Sequence, residues 1–379
     1  DLFGLVIVPP LLLLPPLLGV YWGLTTAFCR LIGGGHRTLL VLPFAWIVLE
    51  YLRAQGVFGF PWGTLGYAFL NTPMVQVADL GGVYLVSLLV AGTAAALAAL
   101  ALGRRLPALL VGMLLGVAAV YGWTRPMPPA PDRTVLMVQG GVNPLEKAAG
   151  RSLSELNLYR DLTRAGLTGA PDAEFVIWPE GASPLPPEDP RAREVLAAFE
   201  PPLLIGAPSY APTYQNSAFA LEDGAVTGRY AKMKLVPFGE AFPLREALSF
   251  LYDPLFAAIG LPGLVGATPG NAVAPLPLGD ILVGAYICYE SVFPQVARQM
   301  AAAGAEVLVN ISNDAWFGRT AGAEQHFQMG RLRAIETRRY LARAGNDGIT
   351  AVIDPLGRVS MRFPRDERAV FAASLGLSD

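Results

Sequence analysis

The pattern of hydrophobic positions divides the chain into two parts near residue 125. Up to that point, four apolar stretches follow one another with little charge between them, at residues 2–28, 39–51, 80–102 and 106–123. A helix needs about 20 apolar residues to span a bilayer core. The first and third stretches reach that length, the fourth comes close, and the second is short. The pattern predicts about four transmembrane helices within residues 1–124. A buried helical core is the alternative, which the scarcity of charge disfavours.

A different pattern begins after a proline-rich linker at residues 126–131. Short apolar runs bounded by turn residues predict strands at 134–139, 174–178, 203–207, 216–221, 281–287, 307–311 and 349–353. Longer amphipathic segments predict helices at 146–167 and 324–344. Alternation of strands and helices is typical of a layered α/β domain, which we place at residues 132–374.

Composition agrees with a membrane protein and excludes several other classes. Hydrophobic residues make up 53% of the chain and charged residues 15%, whereas soluble domains carry about 25% charged residues. The 28 basic and 30 acidic residues nearly balance, so the basic face of a nucleic-acid-binding protein is not expected. The two cysteines lie in very different regions of the chain, and the two histidines are too few and too separated, so we predict no disulfide framework and no metal site. We expect no other cofactor.

Basic residues in the loops predict an orientation in the membrane. Arg30 and Arg37 lie between the first and second stretches, and Arg104 and Arg105 lie between the third and fourth. Such loops stay in the cytoplasm. With an even number of spans, the α/β domain is then predicted to be extracytoplasmic.

Three predicted strand ends carry polar side chains that could perform chemistry, as is usual in layered α/β proteins. Glu180 follows the run Phe-Val-Ile-Trp-Pro, Lys232 begins a segment that leads to Glu240, and Cys288 directly follows an apolar strand. A cysteine is nucleophilic as the thiolate and needs a base or a nearby positive charge. Glu180 could take the proton, and Lys232 could stabilise the thiolate and an oxyanion.

Two other residues compete for these roles. Lys234 competes with Lys232, and the spacing favours Lys232. His326 could form a cysteine–histidine pair, but it lies on a predicted helix dominated by surface-type residues. We therefore predict the triad Glu180, Lys232 and Cys288.

The triad and the runs around it resemble a known family. Glu180, Lys232 and Cys288 resemble the Glu-Lys-Cys triad of the carbon-nitrogen hydrolase (nitrilase) superfamily. The runs Leu-Val-Pro-Phe-Gly-Glu (235–240), Ile-Cys-Tyr-Glu (287–290) and Asn-Ile-Ser-Asn-Asp-Ala-Trp-Phe-Gly (310–318) resemble, more narrowly, the apolipoprotein N-acyltransferase family. The membrane part agrees through Gly-Phe-Pro-Trp (59–62).

The resemblance implies a nitrilase-like αββα sandwich on the outer face of the bacterial cytoplasmic (inner) membrane. It implies an acyl group moving from a phospholipid to Cys288, as a thioester, and then to the N-terminal amine of a diacylglyceryl-cysteine apolipoprotein. It also implies supporting or substrate-binding roles for Glu240, Tyr289 and Glu290. Members of the family usually have more spans, so some N-terminal spans are expected to be missing from residues 1–124.

The segment after Glu240 leads to a further expectation. The segment 242–265 is apolar enough to predict an exposed arm that dips toward the membrane and includes Phe250, Leu251 and Phe256. Packing of this segment against its own domain is the alternative.

The competing functions are a membrane-attached amidase that uses water as acceptor, and an inactive scaffold that the intact triad argues against.

Overall fold

The computed structural model describes residues 8–34, 37–142, 153–258, 264–365 and 367–378. Its N-terminal part contains four helices, α1 (Val8–Gly33), α2 (Thr38–Arg53), α3 (Ala78–Ala101) and α4 (Arg105–Trp123). Within the described residues, two helical segments are long and apolar enough to cross a membrane, Pro73–Ala101 and Arg105–Trp123. The predicted bundle is thus supported for two of its spans.

Helix α4 exposes most of its apolar side chains. Ala118 is buried, whereas eight large apolar side chains of the helix are exposed: Leu106, Leu109, Leu110, Met113, Leu114, Val117, Val120 and Trp123. A core helix of a soluble domain would bury such a face. The surface of α4 is therefore the kind that a lipid environment covers.

Two six-stranded sheets form the α/β part. The first has the order β12-β1-β2-β3-β4-β5 and the second has the order β11-β10-β9-β8-β7-β6. The strands of the first are β1 (Arg133–Gln139), β2 (Phe175–Ile177), β3 (Leu203–Ser209), β4 (Gln215–Glu222), β5 (Ala225–Ala231) and β12 (Ala369–Leu375). Those of the second are β6 (Leu276–Leu278), β7 (Ile281–Ile287), β8 (Val307–Ser312), β9 (Leu341–Gly345), β10 (Ala351–Ile353) and β11 (Val359–Arg362).

Each sheet has three parallel central strands, β1, β2 and β3 in one and β7, β8 and β9 in the other. Helices α5 (Leu153–Gly169) and α6 (Pro190–Leu196) cover the first sheet, and α8 (Pro294–Ala302) and α9 (Gly322–Thr337) cover the second. A further helix, α7 (Ser249–Ala258), lies between β5 and β6 in the chain. The sheets pack face to face, so the layers are α, β, β and α, as the resemblance implied.

Strand β1 shows why the layers form. Successive side chains of a strand point to opposite faces. Val135 and Met137 belong to the core between the sheets, whereas Leu136 and Val138 pack with Leu156 of α5. Because both faces of the strand are covered, its sequence is continuously apolar rather than alternating.

The predicted helix over residues 324–344 is wrong at its C-terminal end. Helix α9 ends at Thr337, Arg338 adopts a left-handed conformation with φ of 54°, and β9 begins three residues later. Strand β9 is fully buried between β8 and β10. Tertiary burial overrides the helix propensity of its Leu, Ala and Arg residues.

Other boundaries also differ from the sequence expectation. The prediction omitted strands β5, β6, β9, β11 and β12. The helix predicted at 146–167 is observed as α5, and its predicted residues 146–152 lie outside the described residues.

Candidate active site

Three strand ends from the two sheets bring the predicted triad together. Glu180 follows β2 of the first sheet after Trp178 and Pro179, and Lys232 directly follows β5 of the same sheet. Cys288 directly follows β7 of the second sheet. The site therefore lies where the ends of the two sheets meet, with Glu180 and Lys232 buried and Cys288 half-buried.

Lys232 is the centre of the ionic contacts. Its Nζ lies 3.0 Å from Oε1 of Glu180 and 2.8 Å from Oε1 of Glu240. The side chain of Lys232 is 1% exposed, so both contacts are shielded from bulk water. Removing one partner from a buried ion pair leaves an uncompensated charge, which is strongly unfavourable. Glu240 therefore supplies a second negative charge that compensates the buried Lys232 ammonium.

The two carboxylates are held by further donors that sequence reasoning missed. Asn216 Nδ2 donates to Glu180 Oε1 at 2.7 Å and to Glu240 Oε1 at 3.1 Å. The backbone N–H of Asn313 donates to Glu180 Oε2 at 3.0 Å. Carboxylates that accept several hydrogen bonds are fixed in position. Both oxygens of Glu180 are thus engaged before any substrate arrives.

The chain around Glu180 also requires a glycine on the neighbouring strand. A Cβ added to Gly206 of β3 would lie 2.5 Å from the carbonyl oxygen of Pro179 and 2.6 Å from Cα of Glu180. The backbone of β3 approaches the Glu180 turn too closely for any side chain.

Burial and neighbouring charges set the protonation states. Burial, followed by the Glu180 carboxylate, raises the pKa of the Cys288 thiol, and the Lys232 ammonium offsets only part of this rise. Burial alone would lower the pKa of Lys232, but Glu180 and Glu240 outweigh burial and raise it well above its ordinary value. Burial disfavours the charged form of Glu240, yet Lys232 outweighs burial and lowers the pKa of Glu240. The resting site therefore holds a protonated thiol, an ammonium ion and an ionised Glu240.

Cys288 sits on a tight turn between β7 and a short 3₁₀ segment, Cys288–Val292. Its φ is 49°, a left-handed conformation that is unfavourable for a residue with a side chain. Glu290 stabilises the turn, because its Oε2 accepts the N–H of Ile287 at 2.8 Å. Its Oε1 accepts the Tyr230 hydroxyl and the N–H of Met233, both at 2.7 Å. Glu290 therefore links the Cys288 turn to the segment that carries Lys232.

The connection between α2 and α3 reaches the same site. The Tyr289 hydroxyl donates to the Gly59 carbonyl at 3.3 Å. Trp62 donates from Nε1 to Gln325 Oε1 at 2.8 Å, and its ring stacks over His326 with centroids 6.0 Å apart. The membrane part and the catalytic part thus both contribute to the walls of the site.

His326 is buried, so the expectation of a surface-type helix is wrong for α9. His326 is 1% exposed and forms hydrogen-bond contacts with Asp314 and Ser291. Arg343 of β9 is also buried and binds Asp314. Ser291, Asp314, His326 and Arg343 come from four different elements of the chain. The signal that could have found them is the quoted run at 310–318, which contains Asp314, but periodicity alone does not reveal it.

One cluster within the described residues has metal-ligand types at short range. Donor atoms of Cys288, Asp314 and His326 all lie within 4.8 Å of one another. Asp314 is, however, paired with Arg343, and both ring nitrogens of His326 have partners. A metal ion would have to displace these bonds, so the cluster does not fit one.

The arm predicted at residues 242–265 is exposed in part. On α7, Phe250 is 69% and Leu251 is 57% exposed. Phe256 was expected to be exposed as well, but it is 3% exposed and packs against Phe242 with ring centroids 4.8 Å apart. Helix α7 is apolar on both faces, and Phe256 lies on the buried one. Residues 259–263 of the predicted arm lie outside the described residues.

Two different protein families match the two parts of the chain. Residues 161–379 match the family described as Carbon-nitrogen hydrolase, and residues 1–96 match Apolipoprotein N-acyltransferase N-terminal domain. The apolipoprotein N-acyltransferase of Geobacter metallireducens is 35% identical over 370 residues, covering 91% of this chain and 70% of the relative. That of Azotobacter vinelandii is 39% identical over 353 residues, covering 87% of this chain and 66% of the relative.

A solved structure supports the fold. The Saccharomyces cerevisiae protein Nit3, a member of branch 10 of the nitrilase superfamily, has a TM-score of 0.50 and 17% sequence identity. The match covers 64% of this chain and 89% of Nit3. At that identity, the likeness concerns the fold alone. With the sequence matches over both parts, this chain belongs to the apolipoprotein N-acyltransferase family and carries a carbon-nitrogen hydrolase domain.

Proposed function

We propose that the chain is an acyltransferase that moves an acyl chain from a phospholipid donor to the N-terminal amine of a diacylglyceryl-cysteine apolipoprotein. The catalytic triad of this proposal is Glu180, Lys232 and Cys288. The observation that carries it is the contact of the buried Lys232 ammonium with Glu180, at 3.0 Å, beside a cysteine on a strained turn. The names of the relatives supply the substrate classes.

In the first half-reaction, Glu180 takes the thiol proton while the sulfur of Cys288 attacks the ester carbonyl of the phospholipid. The bond from sulfur to carbon forms, and the carbonyl oxygen becomes an oxyanion. Lys232 and a backbone N–H next to Cys288 stabilise that oxyanion. The ester bond then breaks, and the leaving alcohol of the lysophospholipid takes the proton from Glu180.

In the second half-reaction, the amine of the apolipoprotein attacks the thioester. Glu180 accepts a proton from the amine, and the carbon–sulfur bond breaks as the amide forms. Glu180 passes that proton to the leaving Cys288 sulfur, which restores the thiol and the Glu180 carboxylate. Lys232 keeps its proton throughout, because its two carboxylate neighbours raise its pKa. The role of Lys232 is thus electrostatic, and Glu240, which contacts it, fixes its position.

The proposal predicts a thioester on Cys288 when the purified chain receives phospholipid without an acceptor, because the first half-reaction needs no amine. Intact-mass spectrometry should show one acyl adduct that neutral hydroxylamine removes. Cys288→Ala should show no adduct. Cys29→Ala is the matched control, since Cys29 is the other cysteine of the chain and lies buried in α1, and it should keep the adduct. An adduct in Cys288→Ala would overturn the mechanism.

The alternative function is a membrane-attached amidase that uses water as acceptor. Both functions share the acyl-enzyme. Adding a diacylglyceryl peptide to the acylated protein separates them, because the acyltransferase yields N-acylated peptide and the hydrolase yields free carboxylic acid. Release of free acid alone, with the peptide unmodified, would favour the amidase.

We also propose that residues 1–124 form a multi-pass membrane domain in the bacterial cytoplasmic membrane and that residues 132–374 form the catalytic domain on its outer side. The exposed apolar surface of α4 supports the membrane location. Arg104 and Arg105 at the start of α4 support the orientation. A reporter fused after the last residue tests the side. Activity of that reporter in the cytoplasm would overturn the orientation and the lipoprotein substrate with it.

A further inference from the structure

A buried polar cluster lies behind the nucleophile and has no part in the mechanism described so far. His326 of α9 is 1% exposed. Its Nδ1 lies 2.9 Å from Asp314 Oδ1, and its Nε2 lies 3.0 Å from the carbonyl oxygen of Cys288. Ser291 Oγ is 2.7 Å from the same Nε2. The ring therefore connects a buried carboxylate to the backbone of the nucleophile.

The Asp314 carboxylate and the Cys288 carbonyl determine which nitrogens of the His326 ring carry protons. The guanidinium of Arg343 lies 2.7 Å from Asp314 Oδ2. Burial alone would raise the pKa of Asp314, but Arg343 and His326 outweigh burial and lower it. An ionised carboxylate has no proton to donate, and a carbonyl oxygen never has one. Asp314 and the Cys288 carbonyl can only accept, so donation to both of them requires a proton on each ring nitrogen.

The other close groups are compatible with an imidazolium ion. Ser291 has a hydroxyl, which can accept from Nε2. Arg343 Nη2 lies 3.0 Å from Nδ1, but its two hydrogens have acceptors in Asp314 Oδ2, at 2.7 Å, and Ser312 Oγ, at 3.2 Å. Trp62 covers the ring from the membrane part. The charged or titratable groups around the ring are thus Asp314, Arg343 and the Cys288 thiol, which Glu180 and Lys232 face from the first sheet.

An imidazolium here has two consequences for Cys288. Its N–H holds the Cys288 carbonyl, and so fixes the left-handed turn that presents the thiol. Its positive charge lies close to the sulfur, since the donor atoms of Cys288 and His326 are within 4.8 Å of each other. A cation at that range favours the thiolate over the thiol, and here it offsets the Asp314 carboxylate, which lies within the same distance and raises the pKa of the thiol.

We propose that His326 is a positioning residue, held doubly protonated by Asp314, that fixes the Cys288 turn through its carbonyl and favours ionisation of the thiol. This inference rests on the proposed role of Cys288 as the nucleophile. The tests use no acyl donor and no acceptor. They can therefore fail while the acyl-transfer proposal stands, and they can succeed while that proposal fails.

The first test measures the protonation of the ring directly. The chain has two histidines, so ring-nitrogen NMR of full-length His36→Gln protein labelled with ¹⁵N-histidine reports His326 alone. We expect both ring nitrogens to be protonated at neutral pH. A signal from one unprotonated ring nitrogen would overturn the proposal.

The second test measures the ionisation of Cys288 by its rate of alkylation with iodoacetamide across pH, in the Cys29→Ala background. His326→Gln keeps a hydrogen-bond donor but removes the charge. We expect it to raise the midpoint of the pH profile by about one unit, which is about a tenfold lower rate at neutral pH. Ser291→Ala is the control and should leave the midpoint in place. An unchanged midpoint in a His326→Gln protein with normal thermal unfolding would overturn the proposal.

Discussion

At the scale of single residues, Lys232 and Lys234 show how two similar side chains acquire different roles. They are two positions apart on the segment after β5. Lys232 is buried between two carboxylates, whereas Lys234 is half-buried and its Nζ lies 5.4 Å from the ring centroid of Phe293. Both follow the last residue of β5, so the alternation of strand side chains does not decide which of them faces the carboxylates. Their surroundings do.

We therefore predict that Lys232→Met slows thioester formation by about 10²- to 10³-fold, the loss typical of one oxyanion donor. Lys234→Met is the matched control and should stay near the unmodified rate. Intact-mass measurement of the acyl adduct over time gives both rates. Equal losses in the two variants would mean that Lys232 has no special role.

Glu180 has two opposing effects on Cys288, and they can be separated. Its negative charge raises the pKa of the thiol, yet it is also the proposed base. In Glu180→Gln the thiol should ionise at lower pH, so iodoacetamide should alkylate Cys288 faster at a given pH below the midpoint. Thioester formation should nevertheless slow by about 10²- to 10⁴-fold, because proton transfer to the leaving alcohol is lost. Parallel changes in both rates would contradict the role of Glu180 as base.

At the scale of elements, α7 has two faces with different functions. Its outer face carries Phe250, Leu251 and Leu255, which are 69%, 57% and 42% exposed. Its inner face carries Tyr252 and Phe256, which pack with Phe242. Exposed apolar surface of this kind suits contact with lipid.

Replacing Phe250, Leu251 and Leu255 with Ser should impair acyl transfer from membrane-embedded phospholipid. Reaction of the Cys288 thiol with a small soluble ester should be spared, since the triad is untouched. Phe256→Ser is the contrast, because emptying a buried site costs about 3–5 kcal/mol and should reduce both reactions. Equal loss with both donors in the outer-face variant would indicate a folding defect instead of a lipid contact.

At the scale of the whole molecule, the N-terminal helices and the catalytic domain are joined at a break in α3. Gly82 has φ of 65°, and the Glu336 carboxylate of α9 accepts the N–H of Val83 at 2.7 Å. Leu332 and Ile335 of α9 pack against α3. Glycine suits this position because a residue with a side chain is strained at that φ. A hydrogen bond and apolar packing thus join α3 to α9 at this break.

Asp79 and Arg338 form a second connection between the parts. Arg338 Nη2 lies 2.6 Å from Asp79 Oδ2, and Tyr121 also donates to Asp79. Asp79→Arg should lower the apparent melting temperature in detergent, because hydrogen bonds to charged groups contribute about 1.5–3 kcal/mol. Adding Arg338→Asp should restore part of the loss. No recovery in the double variant would show that the two charges do not interact in solution.

Much of the site could be predicted because it lies at strand ends. An apolar run followed by a polar residue marks where a strand reaches the edge of a sheet, and this holds for Glu180 and Cys288, whereas Lys232 follows β5, a mostly exposed strand that the sequence did not predict. The family motifs supplied Glu240, Tyr289 and Glu290. Local sequence also determined the apolar N-terminal helices, since continuous hydrophobicity needs no tertiary partner to be recognised.

Only the tertiary structure decided the features that depend on distant neighbours. Strand β9 has helix-forming composition, and burial between β8 and β10 makes it a strand. Phe256 and Phe250 are equally apolar, but Phe256 packs on Phe242 and Tyr252 and is buried, whereas Phe250 is exposed. His326 is 38 positions from Cys288 and 12 from Asp314, and α9 must dock on the second sheet before they meet. Hydrophobic periodicity records which face of an element is buried, but the partner that buries it is set by the packing of the whole chain.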